Sequence, residues 1–268
     1  MDKLFDSHAH YFDTKFNELE GGADAILSSD EFQSLVGGVV NVGTTYESSL
    51  ACIEQAKKHD FMFAAVGIHP QDAQNKCTLS PREELARIKA LVCNENERRE
   101  NKIVAIGEIG FDYYWQPVDK ALQREYFEGQ MALAEEFGLP VIIHDREAHG
   151  DTFELLCKYP SVRGVLHSCS MSAEMVKEIV KRGWYVSFSG TVTFKNASRV
   201  REACASVPPE RILIETDAPY LAPVPHRGKL NNSTYMQNTA RAVAEVLGLS
   251  YEETVRLTSE NARKLFCI

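Results

Sequence analysis

Six side chains of the kinds that hold metal ions are spread along this chain, each close to an apolar run. His8 and His10 lie in Leu4-Phe-Asp-Ser-His-Ala-His10, and Glu108 lies in Ile106-Gly-Glu-Ile-Gly110. His144 closes Val141-Ile-Ile-His144, His167 closes Gly164-Val-Leu-His167, and Asp217 closes Ile214-Glu-Thr-Asp217. Successive side chains of a strand alternate faces, so His8 and His10 point the same way, as does Asp6 before them. A His-x-His pair alone is an undemanding pattern. The other four residues give it weight, because imidazoles and acids at apolar strand ends, with no nearby Lys or Arg, are costly to desolvate unless a cation sits among them.

Bringing six distant residues together requires a particular scaffold. Eight short apolar or β-branched segments are visible, at 3–6, 38–42, 62–66, 103–107, 140–144, 164–167, 184–188 and 211–215. Between them run helical patterns at 46–59, 82–91, 122–137, 148–158, 173–181 and 198–206, and 251–266 reads as an amphipathic closing helix. Strands that alternate with helices and lack clean polar alternation imply a parallel sheet covered on both faces. Eight such units predict a (β/α)8 TIM barrel of the metallo-dependent hydrolase type, one domain over 1–268, with every donor at the C-terminal ends of the strands. Gly138 stops the helix over 122–137 and Pro140 opens the next strand, whereas the charged stretch 94–102 reads as a solvated loop.

Composition is consistent with this. The 44% hydrophobic and 25% charged fractions of the 268 residues are those of a soluble globular protein, and no apolar run reaches membrane-spanning length. No targeting segment is visible at the start, so the cytoplasm is the expected compartment. The seven cysteines are odd in number, scattered and never Cys-x-x-Cys, which predicts reduced thiols, mostly buried or inert, rather than a disulfide framework or structural zinc. A net charge of −9 argues against a general nucleic-acid-binding surface but leaves room for a local basic rim.

Several stretches together carry a specific resemblance: Phe5-Asp-Ser-His-Ala-His10, Gly67-Ile-His-Pro70, Gly107-Glu-Ile-Gly-Phe-Asp-Tyr-Tyr114, Pro140-Val-Ile-Ile-His-Asp-Arg146, Glu215-Thr-Asp-Ala-Pro-Tyr-Leu221, Pro225-His-Arg-Gly-Lys229 and Asn261-Ala-Arg-Lys-Leu-Phe266. Along essentially its whole length the chain resembles the TatD family of metal-dependent deoxyribonucleases. The resemblance implies that His8, His10, Glu108, His144, His167 and Asp217 are metal ligands, as the strand ends also suggest. Two segments depart from the family pattern. His167-Ser-Cys-Ser-Met171 stands where His-Cys-Phe-Ser-Gly is usual, and Leu230-Asn-Asn-Ser233 stands where a glutamate and a proline are usual.

Six ligands are too many for one catalytic ion and suit two divalent ions sharing a bridging carboxylate, for which Glu108 is the natural candidate. His8, His10 and Asp217 would hold one ion, and His144 and His167 the other. Imidazole-rich coordination favours zinc, manganese, cobalt or iron over magnesium. The expected reaction is attack of a metal-bridging hydroxide on a DNA phosphodiester, in a 3'-5' exonuclease-like manner on single strands or 3' ends. Asp217 would take the proton, and Glu108 and Asp217 would be the catalytic residues. His69, Asp112, Tyr113, Arg146, Arg227 and Lys229 are the candidate substrate contacts, the basic ones because guanidinium forks and ammonium groups suit phosphate. Tyr114 and Trp115 extend an acidic-aromatic patch on the same loop, where rings can stack on bases. No membrane or obligate protein partner is expected, and the barrel would act as a monomer. The same metals could instead serve an amidohydrolase or an esterase such as a D-aminoacyl-tRNA deacylase, or a non-catalytic metal-binding barrel.

Overall fold

In a computed structural model describing residues 2–268, eight parallel strands form one sheet in the sequential order β1 to β8. They are β1 (Leu4–Ala9), β2 (Val36–Val42), β3 (Met62–Val66), β4 (Ile103–Asp112), β5 (Val141–Arg146), β6 (Gly164–Leu166), β7 (Tyr185–Phe188) and β8 (Ile212–Ile214). The helices are α1 (Gly22–Leu27) and α2 (Asp30–Leu35) before β2, α3 (Tyr46–Lys58) before β3, and α4 (Pro70–Asn75), α5 (Pro81–Val92) and α6 (Glu95–Glu100) before β4. Then come α7 (Lys120–Phe137), α8 (His149–Lys158), α9 (Ala173–Lys181), α10 (Ser198–Ala205), α11 (Met236–Leu247) and α12 (Tyr251–Phe266). The last strand runs beside the first: Ala9 and Ala218 form a parallel bridge, and the Asp217 amide donates to the His8 carbonyl at 2.9 Å. Sequential parallel order with a β1–β8 seam is the topology of a (β/α)8 barrel.

Residues up to Asn41 together with His167–Ile268 form one compact unit, and Val42–Leu166 form another. In the first, Leu4, Phe5, Phe188, Ile212 and Leu213 are buried, and α12 packs on β1 and β8. In the second, α3 packs on β3 and α7 on β4, and Ile106, Ile109, Ile142, Phe127 and Met131 are buried. Each such side chain contributes about 1.5–3 kcal/mol by leaving water. All ten residues of β4 are buried, as expected of a parallel strand covered on both faces.

Local chemistry fixes the element ends. Thr45, Ser80 and Ser250 begin α3, α5 and α12 with capping boxes completed by Ser48, Glu83 and Glu253. The expected stop of α7 is present, with Gly138 in the left-handed region at φ 64°. The expected loop over 94–102 is instead largely helical. Asn94 caps α6, Glu95 and Glu97 occupy its first turn, Arg98 and Arg99 its last, and Arg99 pairs with Glu95 at 2.6 Å. That charge order complements the helix dipole, so a stretch with no buried residue still forms a turn and a half of helix. The short helices α1, α2 and α4 and the longer α11 lie outside the expected set.

Several strands extend past their expected ends. β1 reaches Ala9, β4 reaches Asp112 and β5 reaches Arg146, so His8 and Glu108 lie within strands rather than beyond them, and His144 lies inside its strand rather than at the end. The β4–β5 register shifts between Ile106 and Ile109, around Glu108. Gly110 follows at φ 145°, where an added Cβ would overlap the His144 carbonyl, so only glycine fits against β5 there. No helix among the described residues is long and apolar enough to cross a membrane.

Candidate metal centre

The first unit carries four of the six expected ligands. Alternation along β1 does put His8 and His10 on one face, their Nε2 atoms 3.0 Å apart. Asp217 Oδ1 lies 3.4 Å from His10 Nε2 and 3.7 Å from His8 Nε2. The His167 ring stacks on His8 at 3.9 Å, and donor atoms of His8, His167 and Asp217 all lie within 4.8 Å of one another. Three donors in so small a volume, two of them imidazoles, are a fitting set for a divalent ion of zinc or manganese type.

Backbone geometry delivers these donors. Asp217 and Ser168 both adopt positive φ, 57° and 39°, just after β8 and β6. Such residues are uncommon outside glycine and concentrate at functional turns. Burial alone would raise the Asp217 carboxyl, but the hydrogen bond with His10 and the fields of His167, His8 and His10 outweigh it and bring the group below the ordinary carboxylate range.

Two supporting carboxyls in this unit emerge only with the structure. Glu215, fully buried, accepts from the Ser168 amide at 2.9 Å, and its Oε1 lies 2.9 Å from His167 Nδ1. That fixes the ring and leaves Nε2 for a cation, the carboxylate–histidine arrangement typical of metal sites. Asp6, expected to share the face of His8, is occupied elsewhere. It accepts from Thr216 through amide (3.0 Å) and hydroxyl (2.6 Å) and from the Ser233 hydroxyl (2.7 Å), and burial raises its pKa to about 6 against those bonds.

The departing segment 230–233 is therefore structural. Ser233 ties to Asp6 and Tyr11, while buried Asn231 donates to the carbonyls of Thr216 (2.9 Å) and Tyr220 (2.6 Å), on either side of Asp217. Asn232 accepts from the amide and hydroxyl of Thr234 and so caps the next turn. In the other departing segment Cys169 is buried, in keeping with an inert thiol.

The second unit carries Glu108 and His144. His144 Nδ1 lies 2.8 Å from Glu108 Oε1, and its Nε2 lies 3.1 Å from Asp112 Oδ2. Donor atoms of His69, Asp112 and His144 fall within 4.8 Å of one another. Asp112 was expected to meet substrate; here its second oxygen also accepts the amides of Tyr114 and Trp115, and the His144 bond helps bring it below the usual range against the opposing effect of burial. His69 caps α4, its Nδ1 accepting from the Gln71 amide at 3.1 Å. An accepting Nδ1 leaves the proton on Nε2, which faces Glu108 Oε1 at 3.7 Å. Burial lowers the His69 pKa to about 4, so the ring is neutral and presents a donor rather than a ligand atom.

Of the other expected substrate contacts, Tyr113 is committed within the protein: its hydroxyl donates to Asp151 at 2.6 Å and Lys120 covers its ring at 4.0 Å. Arg146, Arg227 and Lys229 are exposed, with Arg227 resting on the Phe194 ring at 4.1 Å. All seven cysteines are free; Cys52, Cys169 and Cys204 are buried, and Cys93, Cys157 and Cys267 are exposed.

The family model described as TatD related DNase matches residues 5–267. The chain belongs to that family. It is 40% identical to an uncharacterized metal-dependent hydrolase, YabD, of Bacillus subtilis (strain 168), over 99% of both chains. It is 35% identical to another, YcfH, of Escherichia coli (strain K12), over 99% of this chain and 96% of the relative. Among solved structures, the TatD homologue YJJV of Escherichia coli superposes with a TM-score of 0.87 at 25% identity, covering 99% of this chain and 98% of the other. This TatD-family chain is thus a metal-dependent hydrolase with a His/Asp/Glu donor set suited to metal.

Proposed function

We propose that this TatD-family hydrolase is a deoxyribonuclease, cleaving DNA phosphodiester bonds with two divalent ions, and that it acts on single strands or 3' ends in a 3'-5' direction. The observation that carries the two-ion reading is that each unit by itself presents histidine and carboxyl donors close together, His8, His167 and Asp217 within 4.8 Å of one another in the first and His144 Nδ1 at 2.8 Å from Glu108 Oε1 in the second. The family model's description supports DNA as substrate. His8, His10, His167 and Asp217 would hold one ion and Glu108 and His144 the other. Bound divalent ions would supply Lewis acidity toward phosphoryl oxygens and acidify water.

The chain's own groups do the rest. Asp217, held ionised, orients the attacking water and accepts its proton. Glu215 and Asp112 keep the His167 and His144 rings aimed. His69 Nε2–H donates to a phosphoryl oxygen, and Arg146, with Arg227 and Lys229 on the exposed loops, balances phosphate charge. The free thiols fit a reducing, cytoplasmic setting, and the protein is proposed to act as a monomer.

The test is metal analysis of the purified protein together with product lengths from end-labelled single-stranded DNA in Mn2+ or Zn2+. Two ions per chain and a ladder shortening from the 3' end are expected. Ester or amide cleavage without nucleotide release would move the assignment to an acyl hydrolase.

A further inference from the structure

Beside His144, β4 and β5 continue in register, with Asp112 paired to Arg146. Asp112 is divided between two tasks. One oxygen faces His144, and the other accepts the amides of Tyr114 (3.0 Å) and Trp115 (3.3 Å). The turn that follows β4 is therefore pinned to a metal-ligand candidate, and the Gln116 side chain braces it by donating to the Tyr113 carbonyl at 3.2 Å.

The rings on that turn have different fates. Tyr113 is held by Asp151 and Lys120, but Tyr114 is 46% and Trp115 54% exposed, far from the norm for large apolar side chains. They meet edge to face at 4.9 Å. The Arg146 guanidinium lies 4.0 Å over Tyr114 and 5.4 Å from the Trp115 ring centre. Among the described residues no carboxyl pairs with Arg146, so the N–H donors along its edge are uncommitted. An exposed indole, a braced turn and an unpaired guanidinium over the neighbouring ring are what a base and its phosphate require: a π-face to stack on and a fork of donors.

We infer that Trp115 is a stacking residue for an unpaired nucleobase and that Arg146 holds the adjoining phosphate, which makes this turn the element selecting single-stranded over duplex DNA. Inside a duplex both faces of a base are covered by the stacked pairs above and below, so duplex interior is refused without a steric gate. The inference rests on the nuclease reading for its substrate, but it can be tested without turnover.

The chain has two tryptophans, and Trp184 is 2% exposed. Emission quenched by a stacked base therefore reports on Trp115. Metal-free full-length protein is titrated with a single-stranded oligodeoxyadenylate, an abasic oligomer of equal length and charge, and a duplex. Quenching by the single strand alone is expected. In anisotropy with labelled oligomers, Trp115→Leu should weaken single-strand binding by about 5- to 150-fold, leave abasic binding unchanged, and be largely rescued by Trp115→Phe. Equal quenching by the abasic oligomer, or Trp115→Leu binding the single strand as tightly as the parent, overturns the inference. Cleavage is scored separately after metal is restored. Quenching without cleavage leaves the stacking role standing and removes the nuclease reading, whereas cleavage without quenching does the reverse.

Discussion

Glu215 is the most informative residue to perturb, because it touches the proposed metal chemistry only through His167. Its Oε1 serves both His167 Nδ1 and the Ser168 amide at 2.9 Å, and its Oε2 is buried with no hydrogen-bond partner among the described residues. Glu215→Gln is nearly isosteric, and its amide oxygen can still accept both bonds. What disappears is the negative charge behind the imidazole, which makes Nε2 a better donor to a cation. Loss of such a supporting carboxylate typically costs 10- to 100-fold in metal affinity, equivalent to about 1.4–2.8 kcal/mol.

The assay is competition for Zn2+ or Mn2+ between metal-free protein and a chromophoric chelator, with circular dichroism confirming that the variant is folded. A double-mutant cycle sharpens it. In a His167→Ala background, Glu215→Gln should change affinity little, because the ring it acts through is gone. Metal affinity within twofold of the parent, or equal losses in both backgrounds, would refute the argument that Glu215 acts by orienting and polarising His167.

Asp217→Asn, which removes the proposed proton acceptor, should lower kcat by roughly 10²- to 10⁴-fold at saturating metal, measured by steady-state cleavage; a change under threefold would exclude the base role. Gly110→Ala should destabilise the protein by more than about 3 kcal/mol in urea unfolding, since the new Cβ meets the His144 carbonyl at a φ that alanine avoids. Iodoacetamide should label Cys93, Cys157 and Cys267 quickly in the native protein and Cys52, Cys169 and Cys204 only after unfolding; burial pushes the Cys204 thiol up to about 12, and mass mapping reads the order.

What the sequence determined by itself is whatever depends on near neighbours or on a repeated pattern. Period-two alternation set His8 beside His10, Gly138 ended α7, and eight buried parallel runs announced the barrel topology. Helix α6 escaped because no buried face marks it, and its stability comes from capping and charge order rather than apolar periodicity. β4 was read short because polar Glu108 and Asp112 look like a strand's end until their neighbours in β5 and their hydrogen bonds are seen.

Tertiary structure alone decided which acid serves which histidine. Glu215 meets His167 across 48 residues and Asp112 meets His144 across 32, and such pairs leave no local signature in the chain. It also decided that Asp6 and Asn231 brace the Asp217 turn, and that Trp115 and Tyr114 rather than Tyr113 face solvent. A side chain's hydrogen-bond partner depends on register between strands and on loop conformation. Both are fixed only when distant segments compete for the same few polar atoms.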